Sequence, residues 1–214
     1  MKLIIGNRNY SSWSLRPWIL MRAKDINFEE VRIPLYQPGS EEALAQVSAS
    51  GLVPVLHDED LQICDSLAIC EYVAELFPTR NCWPADRSLR AQARSVSAEM
   101  HSGFNALRDQ MPMNCRKRIQ VDEYDEELSE DIRRIRAIWS HCLEQNLSQD
   151  GFLFGDFSIV DAMFAPVVIR FENCSVKVGE TERVYMQRIL NMAAMKEWFA
   201  LASEEPEIIK MAEI

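Results

Sequence analysis

The sequence predicts an α/β domain followed by an all-helical domain. Short apolar runs alternate with helical segments up to Phe77, and the stretch Phe77–Asn81 (FPTRN) interrupts this pattern. Beyond it, apolar residues recur every three or four positions and strand signals disappear. Alternating strand and helix signals indicate a sheet covered by helices, whereas helix signals alone indicate packed helices. We therefore predict an α/β domain over residues 1–78 and an all-helical domain over residues 85–214.

The elements of the first domain follow the order β-α-β-α-β-β-α. The predicted strands are Lys2–Ile5, Phe28–Ile33, Val53–Leu56 and Leu61–Cys64, and the predicted helices are Ser12–Ala23, Glu41–Val47 and Ser66–Phe77. The strands are short apolar or alternating runs, and the polar turn His57–Asp60 suits a hairpin between the last two. A β-α-β unit followed by a hairpin predicts a mixed four-stranded sheet.

Helical spacing of apolar residues continues over two long stretches of the second domain. The first stretch predicts one amphipathic helix from Leu89 to Met111, and the second predicts another from Tyr124 to Leu147. Shorter helices are expected near Ile159–Phe171, near Arg183–Phe199 and at the C-terminus. The residues from Ser158 to Asp161 fit a capping box, the arrangement that begins a helix.

Composition excludes several classes of function. The formal net charge is −10, with 23 basic and 33 acidic residues, which argues against a general binder of nucleic acid or of anionic membranes. No apolar run approaches a signal peptide or a membrane span, so we expect a cytoplasmic protein. The six cysteines form no Cys-x-x-Cys pair and the three histidines are scattered, so we expect free thiols and no metal site.

Hydroxyl groups are concentrated between the first strand and the first helix, at Tyr10, Ser11, Ser12 and Ser14. They can cap the helix, or they can lie where a helix N-terminus stabilises a negative charge. Asp65 and Ser66 stand before another helix and offer the same two alternatives, an N-cap or a site for a carboxylate and an ammonium group.

The order and spacing of these features resemble those of the cytosolic glutathione transferase family over essentially the full chain. The features are Ser11, Val53-Pro54, Asp65-Ser66 and the segment Ser158–Asp161. The resemblance implies a thioredoxin-like first domain and an all-helical second domain. The stretch 11–18 (SSWSLRPW) looks most like the serine-type zeta class and related bacterial branches.

The resemblance also implies roles for individual residues toward glutathione, the expected co-substrate. Ser11 lies five residues before Arg16, the spacing of the thiol-activating residue, and Ser12 is the alternative. A serine is too weak a base to remove the thiol proton, but its hydrogen bond to the thiolate lowers the thiol pKa from about 8.5. We expect Ser14 to cap the helix and Arg16 to support the turn or add positive potential.

The remaining glutathione contacts follow from the same resemblance. Val53, which precedes Pro54, is expected to bind the cysteinyl backbone, and Asp65 and Ser66 are expected to bind the γ-glutamyl end. The Val53–Pro54 peptide would be cis by resemblance, although an X-Pro bond taken alone favours trans. Gln37 is expected at the glycine end. Leu52 departs from the lysine or other polar residue of many relatives, so that contact is missing or supplied by backbone.

The electrophile site is expected between the domains. Its predicted wall is the long helix at Met100, His101, Phe104 and Arg108; the alternative for the apolar members is a place in the core. His101 and Arg108 can face the cleft and polarise an acidic or carbonyl substrate.

Three functions remain open at this level. The first is a glutathione transferase that conjugates small electrophiles, and the second is a zeta-like glutathione-dependent cis–trans isomerase acting on a conjugated diketo acid, as in the maleylacetoacetate type. The third is a non-catalytic glutathione-binding or interaction module. The resemblance further implies a homodimer.

Overall fold

The computed structural model describes residues 1–119, 123–145 and 151–213. Its first part contains four strands and three helices in the predicted order β-α-β-α-β-β-α, which confirms that prediction. The elements are β1 (Lys2–Ile5), α1 (Ser12–Ala23), β2 (Glu29–Arg32), α2 (Ser40–Val47), β3 (Val55–Asp58), β4 (Leu61–Cys64) and α3 (Ser66–Leu76).

The four strands form one mixed sheet in the order β2-β1-β3-β4. β1 pairs with β2 in parallel and with β3 antiparallel, and β3 and β4 form an antiparallel hairpin. β3 begins at Val55 rather than at the predicted Val53, because Pro54 has no N–H for the ladder. The Val53–Pro54 peptide is cis, as the resemblance implied. The hairpin turn shortens to Glu59-Asp60, since His57 and Asp58 pair with β4.

The sheet buries apolar residues on both of its faces. Successive strand residues point to opposite faces, so Leu3 and Ile5 join the main core with α1 and α3. Ile4 points the other way and packs in a smaller cluster with Leu44 of α2. This sandwich fixes the end of β1, from which the chain enters the serine-rich turn.

The described residues of the second part form helices joined by loops, and the β-type pairing among them is one isolated bridge between residues 152 and 155. Its helices are α4 (Arg87–Ser102), α5 (Asn105–Gln110), α6 (Glu126–Gln145), α7 (Ile159–Asn173), α8 (Glu180–Asn191) and α9 (Ala193–Ser203), with short 3-10 turns at Pro78–Arg80 and Lys210–Ala212. None of the described helices is long and apolar enough to cross a membrane.

Three helix predictions in this part were wrong. The stretch Leu89–Met111 is two helices, because Gly103 ends α4 and Phe104 has a left-handed φ of 62° that an α-helix cannot contain. Arg183–Phe199 is divided at Met192, whose ψ of 142° is extended. The expected C-terminal helix is only the turn Lys210–Ala212. Leu147, the predicted end of the next helix, lies outside the described residues.

Helix α7 lies at the centre of the molecule. Every residue of α7 except Glu172 is buried, and the helix packs against α1 of the first part and α4 of the second. The predicted capping box is present, since the Asp161 carboxylate accepts from the Ser158 N–H at 2.9 Å. One continuous core therefore joins the two parts. The domain boundaries at residues 78 and 85 stay a prediction.

Candidate functional site

The serine-rich turn places the hydroxyl of Ser11 against that of Ser14. Ser11 is the N-cap of α1: its Oγ accepts from the Ser14 N–H at 3.3 Å and donates to Ser14 Oγ at 2.8 Å. Ser14 Oγ in turn accepts from the Gly6 N–H at 3.1 Å. The expectation that Ser14 caps the helix was wrong, because α1 begins two residues earlier and Ser14 reaches back to the end of β1.

Ser12 has a different partner, from the other half of the chain. Its Oγ accepts from Arg170 Nη2 of α7 at 3.2 Å. The hydroxyl proton of Ser12 has no acceptor among residues 1–119, 123–145 and 151–213. Ser12 therefore links α1 to α7. Its O–H group stays available to donate a hydrogen bond.

A cavity of about 1040 Å³ opens beside this turn. Of the residues expected at the site, Ser11, Ser12, Gln37, Val53 and Arg108 line it, together with Arg170. Pro54, Asp65, Ser66, Met100, His101 and Phe104 are not part of its lining. The structure thus brings the proposed thiol-activating serines, two expected glutathione contacts and one expected electrophile contact to the same space.

Three arginines near the turn have no carboxylate partner. Arg16, Arg108 and Arg170 make no ion pair with any described Asp or Glu. The guanidinium groups of Arg16 and Arg108 lie 4.2 and 4.6 Å from the ring centre of Trp13, within cation–π range. Arg16 is buried and donates to the Met163 carbonyl, while its Nη1 has no partner in the described part of the chain.

Burial dominates the electrostatics of these arginines. It lowers the pKa of Arg108, and it lowers the pKa of Arg16 further because Arg108 and Arg170 also repel the Arg16 charge. The pKa of Arg170 falls to about 9, first through burial and then through repulsion from Arg108. Asp131 and Asp109 partly offset the charge of Arg108, and Asp65 partly offsets that of Arg16, but none of these carboxylates forms an ion pair with the arginines. A buried cation without an ion pair is unfavourable, so the cavity beside Arg108 and Arg170 suits an anion.

Asp65 and Ser66 lie at the start of α3. Asp65 Oδ1 accepts from the N–H groups of Leu67 and Ala68 at 2.8 and 3.2 Å, which confirms the N-cap alternative. Its second oxygen lies 3.1 Å from His101 Nε2. The Ser66 hydroxyl is buried and has no partner in the described ranges, so a polar group remains unsatisfied at this helix N-terminus.

The expected wall of the electrophile site is largely occupied by packing. Met100 and Phe104 are buried in the core, and His101 stacks edge-on against Trp13 with ring centres 5.4 Å apart. Arg108 alone of the four lines the cavity, and it donates to the Gly103 carbonyl at 3.0 Å. The break at Gly103 causes this difference, since residues 100 and 108 lie on separate helices.

Two family models match the chain. The N-terminal domain of glutathione S-transferase matches residues 10–76, and the C-terminal domain of glutathione S-transferase matches residues 120–200. The chain belongs to the glutathione transferase family.

Relatives within the family carry different names. The chain is 26% identical to maleylacetoacetate isomerase of Pseudomonas aeruginosa, over 91% of each chain. It is 23% identical to a stringent starvation protein A homolog of Haemophilus ducreyi, over 77% of this chain and 81% of that one.

Solved structures share the fold. A glutathione transferase homolog from Burkholderia gl BGR1 with bound glutathione superposes with a TM-score of 0.73 at 22% identity, covering 95% of this chain and 98% of that one. A tau class glutathione S-transferase from mango gives a TM-score of 0.68 at 19% identity, covering 94% and 95%.

Sequence reasoning missed some residues that line this cavity. Arg170 is a single charged residue inside the apolar run from Ala162 to Phe171, and that isolation was the available signal. Trp13 lines the cavity and stands between Ser12 and Ser14 in the chain, with no signal beyond its position. Ile209 and Met211 line it from the opposite end of the chain.

These last residues belong to the C-terminal strap, which we define as residues 204–213. Glu205 accepts from the N–H groups of Arg8 and Asn9 at 2.9 and 3.2 Å, and Glu213 accepts from the Tyr10 hydroxyl at 2.6 Å. The strap therefore fixes the turn that carries the serines and also covers one side of the cavity.

A second cavity, of about 1070 Å³, lies away from this turn, between α6 and the segment that joins α7 to α8. Arg136 and Ser140 line it and both contact the buried carboxylate of Glu182, at 3.2 Å each. None of the expected glutathione or electrophile residues takes part. No cluster of His, Cys, Asp and Glu within the described ranges has an arrangement that could hold a metal ion.

Proposed function

We propose that this chain binds glutathione in the cavity beside the serine-rich turn and transfers its thiolate to a small electrophile that carries negative charge. The observation that carries the proposal is the lining of one cavity by Ser11, Ser12 and Val53 together with Arg108 and Arg170. A serine hydroxyl of this turn supplies a donor for a thiolate, and the arginines supply positive potential for a carboxylate of the second substrate.

The residues present fit glutathione at its γ-glutamyl and cysteinyl parts. Asp65 and Ser66 lie outside the lining of the cavity itself, so the γ-glutamyl end would extend beyond it toward α3. The unsatisfied Ser66 hydroxyl stands at the N-terminus of α3, where a carboxylate is favoured. Asp65 offers the opposite charge for the γ-glutamyl ammonium, and Val53 offers its backbone to the cysteinyl residue.

The part of the site expected to bind the glycine end of glutathione offers no opposite charge, unlike the part expected to bind the γ-glutamyl end. Gln37 lines the cavity there with Leu52, Glu41 and Glu42, and this part of the lining holds no cation. We therefore expect the glycine carboxylate to be bound through amide and backbone groups alone, with weaker affinity than an ion pair would give.

The chemistry requires a thiolate at neutral pH. The thiol proton passes to water, because a serine hydroxyl is far too weak a base to keep it, and the hydrogen bonds made by the site lower the thiol pKa. The sulfur then forms a bond to the electrophilic carbon while the electron pair moves to a leaving group or an adjacent carbonyl. Arg108 and Arg170 favour that anionic product of the attack.

A second candidate is a cis–trans isomerase, favoured by relatives named maleylacetoacetate isomerase. In that reaction glutathione adds to a conjugated diketo acid, the former double bond rotates, and the thiolate is expelled again. The same arginines would hold the carboxylates of the substrate. The two reactions differ in whether glutathione is consumed.

The deciding experiment follows free thiol and substrate together. The protein is incubated with glutathione and either a halogenated aromatic compound or a conjugated diketo acid, and remaining thiol is titrated with a chromogenic disulfide. A transferase consumes one thiol for each product, and an isomerase forms product at constant thiol. A protein that binds glutathione and turns over neither substrate is the non-catalytic module, which refutes the enzyme proposal.

Charge recognition has its own test. Replacing Arg108 with Gln is expected to raise KM for an anionic electrophile about tenfold or more, since a hydrogen bond to a charged group contributes about 1.5–3 kcal/mol. The KM for a neutral electrophile should change little. Arg133→Gln is the matched control, because Arg133 is exposed and pairs with Glu130 on α6.

We also propose a cytoplasmic homodimer, on the strength of the family resemblance. Sedimentation of the purified protein measures its mass directly, and a monomer at micromolar concentration would contradict this part of the proposal.

A further inference from the structure

The hydroxyl of Ser11 is already committed within the turn. It donates its single proton to Ser14 Oγ at 2.8 Å and accepts from the Ser14 N–H. Ser14 Oγ also accepts from the Gly6 N–H, which ties α1 to the end of β1. To serve a thiolate, Ser11 would have to abandon a contact that holds the turn together.

Ser12 has the opposite pattern of hydrogen bonds. Its oxygen accepts from Arg170 at 3.2 Å, whereas its proton has no acceptor among the described residues. Ser12 lines the cavity and is 6% exposed. A hydroxyl that accepts from a cation is polarised and becomes a stronger donor to its next partner. Ser12 is therefore the serine that is prepared to donate.

Arg170 is held in place for this contact. Its Nη1 donates to the carbonyls of Leu107, Arg108 and Met111, so the guanidinium group is anchored at the end of α5. No described carboxylate lies within ion-pair distance of it. Arg108 and Arg16 repel its charge, and the Cys174 thiol is the group beside it that favours the charge, so the positive potential at Ser12 is reinforced rather than cancelled.

We propose that Ser12, and not Ser11, donates the hydrogen bond that stabilises the glutathione thiolate, and that Arg170 is the positioning residue that orients and polarises Ser12. Ser11 then has a structural role as the cap of α1. This inference rests on the proposed function, because it requires glutathione to occupy the cavity.

The test measures the thiol pKa of bound glutathione from thiolate absorbance as a function of pH. Ser12→Ala is expected to raise that pKa by about one unit, which leaves about one tenth of the thiolate at pH values below it. Ser11→Ala is expected to lower the melting temperature by removing the cap while the thiol pKa stays near the wild-type value. Each variant removes one serine hydroxyl from the same turn, so each serves as the control for the other.

Arg170 is tested through its dependence on Ser12. Arg170→Gln should raise the bound thiol pKa, and Arg170→Lys should recover part of the shift because it restores the cation without the second arm of the guanidinium. In a Ser12→Ala background, Arg170→Gln should add little, since both changes remove one linked effect. A purely structural Arg170 would change the melting temperature and leave the thiol pKa alone. Far-UV circular dichroism establishes that each variant is folded, and Ser12→Ala tests the proposal even where Arg170→Gln does not fold.

The failures are distinguishable. If Ser11→Ala raises the thiol pKa and Ser12→Ala does not, this inference is overturned while the proposed function stands. Additive shifts from Ser12→Ala and Arg170→Gln would overturn the positioning role of Arg170. If wild-type protein shows no saturable binding of millimolar glutathione, the proposed function falls as well.

Discussion

Glu205 of the C-terminal strap connects the strap to the turn that precedes α1, and its replacement by Gln should destabilise the protein. The side chain is about 5% exposed. One oxygen accepts from the Arg8 N–H at 2.9 Å and from Arg8 Nη1 at 3.3 Å, and the other accepts from the Asn9 N–H at 3.2 Å. Glutamine has nearly the same shape but only one accepting oxygen.

The expected magnitude follows from these contacts. In the Glu205→Gln variant one backbone N–H faces an amide NH2 group, and an unsatisfied buried donor costs about 1–3 kcal/mol. Arg8 also exchanges a charged acceptor for a neutral one, a loss of about 1 kcal/mol. The free energy of unfolding should therefore fall by about 3 kcal/mol, which for a protein of this size lowers the melting temperature by about 6–12 °C.

Thermal unfolding followed by circular dichroism measures this change. Glu204→Gln is the matched control, because Glu204 is the adjacent residue, is exposed, and forms no ion pair within the described part of the chain. Equal melting temperatures for the two variants would show that the contacts of Glu205 do not stabilise the turn, and would refute the reasoning.

Three further predictions concern stability. Leu3→Ala should lower the free energy of unfolding by about 2–5 kcal/mol because Leu3 is fully buried in β1; urea unfolding measures it beside Leu61→Ala, an exposed control that should change little. Ser158→Ala should cost about 1 kcal/mol by removing a hydroxyl that donates to Asp161, and an unchanged urea midpoint would contradict this. Burial raises the pKa of Asp161 from 3.8 to about 6, so the native state binds this proton more tightly than the unfolded state. The stability contributed by Asp161 should therefore decrease as pH rises from about 4 to about 6, and melting temperatures of Asp161→Asn should lack that slope.

Local signals explain how much of the fold could be predicted. The bounds of β1 and α1 match the prediction at both ends, because a short apolar run and a polar turn determine them within a few residues. The break between α4 and α5 escaped notice since Met100, Phe104 and Leu107 remain buried across it. Apolar periodicity reports which residues are buried, and it continues through a kink that keeps the same residues inside.

The site was harder to predict than the fold because its decisive contact is not local. Ser12 and Arg170 are separated by 158 positions, and no spacing rule connects them. The serine-rich turn was evident from sequence, but the choice between Ser11 and Ser12 depends on which hydroxyl Ser14 engages and which one α7 approaches. The contact between Ser12 and Arg170 forms only when α7 packs against α1.

The strap has a consequence for how the protein is made. Asn9 precedes Glu205 by 196 positions, so a ribosome completes the serine-rich turn long before it adds the residues that hold it. A nascent chain that has already folded its sheet still lacks the anchor of Arg8 and Asn9. A truncation immediately before Glu205 should therefore leave the serine-rich turn without these hydrogen bonds, so the turn is fixed only at the last steps of synthesis.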